Sequence, residues 1–132
     1  MLKDLLYKEV SDLVKNMKIK RQHFEFSGIK YVLIPCSSRD PNGNPNGLPA
    51  EWAYPEGSPV IYLWEDIEER IQRPLLFHEI AEVYYILSTN LKRKQAHEKA
   101  LQLERRFCEE YLTKDEFNEY TKFKKEYGCA EF

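Results

Sequence analysis

Over the first eighteen residues, apolar side chains recur at Leu2, Leu5, Leu6, Val10, Leu13, Val14 and Met17. Spacing of i, i+3, i+4, i+7 predicts an amphipathic helix over 2–18. From Arg21 the period drops to two. HFEF alternates, Ser27-Gly28 can turn, and IKYVLIPC is β-branched and aromatic. This predicts a hairpin with a well-buried second strand. Residues 37–59 hold five of the seven prolines and three of the five glycines. They read as a long structured loop, either functional or an ordered excursion with Trp52 and Tyr54 tucked onto the core. VIYLW (60–64) reads as a short strand, followed by the charged link EDIEER. Pro74 suits a first helical turn, so a helix is expected over 74–87, with STN breaking it. A second helix is expected over 91–111. Thr113 with Glu116 forms a capping box for a last helix over 114–127, which Gly128 ends. The expected fold is α+β and a single domain over 1–132. It has an N-terminal helix, a small three-stranded sheet and three further helices.

Composition narrows the function classes. Lys plus Arg number 20 against 22 Asp plus Glu, a net charge of −2. The molecule as a whole therefore has no electrostatic attraction for nucleic acid or acidic membranes. No apolar run approaches the roughly 18 residues of a spanning helix, and the charged N-terminus lacks the pattern of a secretory signal. Three cysteines, odd in number and without metal-type spacing, predict free thiols in a reducing, cytoplasmic setting.

The helix expected over 74–87 carries the chemistry. It is apolar on nearly all sides, as a buried helix is, yet it contains His78, Glu79 and Glu82. An unpaired buried carboxylate costs several kcal/mol or more, so a basic partner, protonation or a metal ion must compensate. Arg70 and Arg73, just upstream, are possible partners. His78 and Glu82, at i and i+4, share a face and could grip one cation. Glu79, about 100° round the helix, could reach a water beside that cation. On the next helix, His97 and Glu104 fall within the apolar arc of Ala96, Ala100, Leu103, Phe107 and Tyr111, so all four groups could meet across the interface.

The run VIYLWEDIEERIQRPLLFHEIAEVYYIL resembles the core of the minizincins, the small ImmA/IrrE-type zinc peptidases. Their pattern is a strand, a link, a helix with H-E-x-x-H and a helix with the third ligand. The similarity covers about 60–105, with the 29–36 strand in the same sheet. The chain also resembles small phage-encoded proteins with a variant H-E-I-x-E motif, here His78, Glu79, Ile80 and Glu82, followed by His97 and Glu104. Glu82 stands where the zincin pattern has a second His. The resemblance implies a zincin-like domain binding Zn²⁺ through His78, Glu82 and His97, with Glu79 as general base. Two His and one Glu are a frequent catalytic zinc set. Glu104 would be a fourth ligand or an acceptor orienting His97. A peptide substrate would pair with the edge of the VIYLW strand. Tyr85 would stabilise an oxyanion or simply pack in the core. The alternative is a non-catalytic phage-type or regulatory protein that keeps the fold, with a structural metal or none.

Overall fold

The N-terminal stripe folds as helix α1, Leu2–Asn16, in a computed structural model that describes residues 2–132, with side chains described from Leu6 onward. Leu2 and Leu5 of the expected stripe thus lie outside the described side chains. Val10 and Val14 are fully buried, with Leu6 and Tyr7 nearly so.

Strands β1, Gln22–Phe26, and β2, Ile29–Cys36, form the expected antiparallel hairpin. Ser27 and Gly28 turn it with φ of 53° and 78°. Two positive φ values make the type I′ geometry that matches strand twist. The sheet has four strands rather than three. The additional one is β3, Ala50–Ala53, inside the proline-rich segment. Four residues of which only Trp52 strongly favours a strand give little local signal. The pairing is set by β4, Val60–Trp64, which runs antiparallel to β3 and parallel to β2. The order is β1-β2-β4-β3. This corrects the expectation that VIYLW offers a free edge, because β4 is flanked on both sides and β3 is the edge. The Trp64 amide donates to the Pro49 carbonyl at 2.9 Å. Bonded pairs alternate along an antiparallel ladder, so the amides and carbonyls of Ala50 and Trp52 face outward.

Helix α2, Glu69–Thr89, begins five residues before Pro74. Proline there removes one intrahelical bond, and tertiary contacts hold the turn before it. The Gln72 side-chain amide donates to the Trp64 carbonyl at 2.9 Å. Arg73 donates to the Val14 and Met17 carbonyls of the α1 segment. Every residue from Ile71 to Val83 is buried, as an all-round apolar helix requires, and Leu87 near its end is exposed. α2 packs on α1, β3, β4 and α3 (Arg93–Tyr111), the last being its most extensive partner. Ala96 and Ala100 let α3 approach closely, and Phe77 stacks on Phe107 at 4.9 Å. Asn90, at φ 58°, closes α2.

Helix α4, Lys114–Glu126, has the expected capping box, with Thr113 and Glu116 each accepting the other's amide. Gly128, at φ 71°, lets the Cys129 amide return to the Lys124 carbonyl at 2.8 Å, a Schellman closure. Among the described residues no helix is long and apolar enough to cross a membrane.

Candidate metal centre

α2 projects His78 and Glu82 from one face, one turn apart, toward α3. His78 Nε2 lies 2.8 Å from Glu82 Oε2, and His97 Nδ1 approaches the same oxygen at 3.2 Å. The two imidazole rings sit 4.9 Å apart, nearly edge to face. His78, Glu82 and His97 each offer a donor atom within 4.8 Å of the others. Donors around tetrahedral zinc at roughly 2.0–2.1 Å stand about 3.3–3.5 Å apart, so the group matches one small cation to within modest side-chain adjustment.

Glu104 is not part of this three-donor group. Its Oε1 is 2.8 Å from His78 Nδ1, on the far side of the ring from Glu82. Its Oε2 accepts from the Tyr120 hydroxyl at 2.6 Å and from Lys124 Nζ at 2.5 Å. The sequence reading has Glu104 as a fourth ligand or as the acceptor for His97. It is instead the acceptor for His78, because the α2–α3 crossing places residue 104 beside that ring. Glu104, Tyr120 and Lys124 are almost completely removed from solvent.

Electrostatics follow from this packing. Burial opposes charge on His78, but Glu104 and Glu82 bonded to its two nitrogens outweigh it and hold the pKa at about 10. Burial pushes Glu82 and Glu104 upward, and their bonds to His78 more than reverse it, keeping both below the usual carboxylate range. Glu79 has no such help. Burial, opposed by His78 and reinforced by the neighbouring carboxylates, lifts it to about 7. Its carboxylate is 3.8 Å from His78 Nε2.

A cleft of about 540 Å³ opens over His78, Glu79, Glu82 and His97, with Ala50 and Trp52 of the edge strand on its wall. His97, its side chain 38% exposed, is at the rim, and His78, at 9%, is at the floor. Glu51 holds the loop that leads into β3. Its carboxylate accepts from the Asn44 side-chain amide at 2.6 Å and from the Asn46 and Leu48 backbone amides at 3.1 Å.

The upstream arginines do not neutralise the centre. Arg70 pairs with Glu68 and Glu119, and Arg73 with Glu69. Tyr85 packs beside Tyr84 and Lys99 and lines no part of the cleft, so the core reading holds. Cys36, Cys108 and Cys129 are free thiols. Sequence reading missed the roles of Lys124, Tyr120 and Glu51. Lys124 does give a signal, as a lone cation on the aromatic face of α4, whereas Glu51 gives none. Comparison with protein-family profiles, curated proteins and solved structures gives no match.

Proposed function

We propose that the chain is a zinc-dependent hydrolase of zincin-like architecture, acting on peptides in a cytoplasmic setting. The single observation that carries this reading is the convergence of His78, Glu82 and His97 at the floor and rim of a cleft, with Glu79 beside them. The donor set fits zinc. Two imidazoles and one carboxylate are a catalytic inventory that leaves a coordination position open. When bound, zinc supplies Lewis acidity and lowers the pKa of a water toward ~7.

The chain's own residues supply the remainder. Glu79, beside the cluster and reaching the cleft, can accept a proton from water and return it to the leaving nitrogen of a cleaved amide. Glu104, bonded to Nδ1 of His78, fixes which ring nitrogen faces the cleft. The outward backbone groups of Ala50 and Trp52 can pair with an extended peptide laid along the cleft.

A second reading has its own observation. Both nitrogens of His78 already meet carboxylates, and Lys124 balances Glu104, so the cluster is also internally satisfied as a hydrogen-bond network. That favours a non-catalytic phage-type or regulatory protein with the same fold. One experiment separates them. The zinc-loaded chain is expected to cleave members of a mixed peptide library, with cleavage abolished by a chelator and restored by added zinc. A zinc-loaded chain with no cleavage of any library member would favour the non-catalytic reading.

A further inference from the structure

We propose that Lys124 and Tyr120 of α4 are positioning residues for the metal group, acting on it through Glu104. The proposal rests on the metal reading above and concerns a helix that lies outside the 60–105 segment carrying the sequence motif. A continuous path of buried contacts links α4 to the centre. Lys124 Nζ and the Tyr120 hydroxyl both bond Glu104 Oε2, at 2.5 and 2.6 Å. Glu104 Oε1 bonds His78 Nδ1 at 2.8 Å, and Nε2 of the same ring faces Glu82.

The division of labour between the two carboxylate oxygens is the point. Two donors from α4 occupy Oε2 and leave Oε1 for the imidazole. With Nδ1 donating to Oε1, Nε2 is the nitrogen that faces Glu82 and that, on giving up its proton, would offer a lone pair to a cation. Without those two donors the carboxylate is free to turn toward another partner. That turn takes Oε1 away from the ring and removes the acceptor that aims His78.

Lys124 is itself well fixed. Its carbonyl accepts the Cys129 amide in the closure of α4, and its ammonium lies 4.3 Å from the Phe132 ring centroid. The last helix therefore helps set metal affinity without offering a ligand.

The test uses cobalt as the probe on the full chain. Affinity comes from competition with a chelator, and ligand geometry from the visible d–d absorption. Lys124→Met is expected to weaken cobalt binding by about 10–100-fold and to alter the absorption bands. Tyr120→Phe preserves shape and removes one bond, so a loss of about 2–10-fold is expected. If Lys124→Met does not fold, Lys124→Met combined with Glu104→Gln removes both buried charges and restores a neutral core. This pair is expected to fold yet bind cobalt about tenfold more weakly than wild type. Folded variants with wild-type affinity and an unchanged spectrum would mean that Lys124 and Tyr120 serve only the fold, and would overturn the proposal. A wild-type chain that binds no cobalt overturns the metal reading itself, and that outcome is distinct from wild-type binding matched by all variants.

Discussion

Changing His78 or Glu82 to Ala is expected to abolish zinc binding, whereas Glu79→Gln should retain the metal and lose turnover. His78 and Glu82 sit one helical turn apart with donor atoms 2.8 Å from each other. Removing either leaves at most two protein donors. The affinity loss should exceed the roughly 10–100-fold cost typical of an outer partner. Glu79 is differently placed. It adjoins His78 in sequence but projects about 100° away on the helix, and its carboxylate lies 3.8 Å from His78 Nε2. A glutamine there keeps the shape and gives up the ability to carry a proton, which should lower hydrolysis by about 10²–10⁴-fold. Zinc stoichiometry after dialysis and initial rates on one cleaved peptide measure the two effects separately. Full zinc occupancy in both His78→Ala and Glu82→Ala would defeat the assignment of ligands.

Glu104→Ala is expected to be the most destabilising single change in the centre. One carboxylate serves His78, Tyr120 and Lys124 at once. Its loss leaves the Lys124 ammonium, 2% exposed, without a counter-charge, and breaking one side of such a pair costs about 3–5 kcal/mol. Set against a typical domain stability of about 5–15 kcal/mol, that is a large fraction. Urea unfolding of the metal-free chain reads it directly. A shift below about 1 kcal/mol would mean that water reaches Lys124 and that the interior is not dry.

The elements with a strong local period were the legible ones. The α1 stripe, the β1–β2 hairpin and the α4 capping box all follow from spacing and turn chemistry. So does the inward placement of His78, Glu82, His97 and Glu104, because charged residues inside an apolar arc must face the neighbouring helix. What sequence could not show depends on contacts distant along the chain. β3 exists because β4 pairs with it, so AEWA looks like loop on its own. The first turn of α2 is held from outside by the Trp64, Val14 and Met17 carbonyls, so Pro74 falsely marks a start. The partner of Glu104 depends on how α2 and α3 cross, and spacing along α3 cannot tell His78 from His97. Lys124 shows how a lone cation in an aromatic face marks a buried carboxylate opposite it, without revealing which one.

The proposed function requires three side chains, His78, Glu82 and His97, to hold a single divalent cation between α2 and α3. Metal analysis of the freshly purified wild-type chain by mass spectrometry tests it most directly. About one zinc per chain is expected, retained through gel filtration and removed by a strong chelator. A chain that emerges without metal and takes up none from added zinc, while remaining folded, would contradict it.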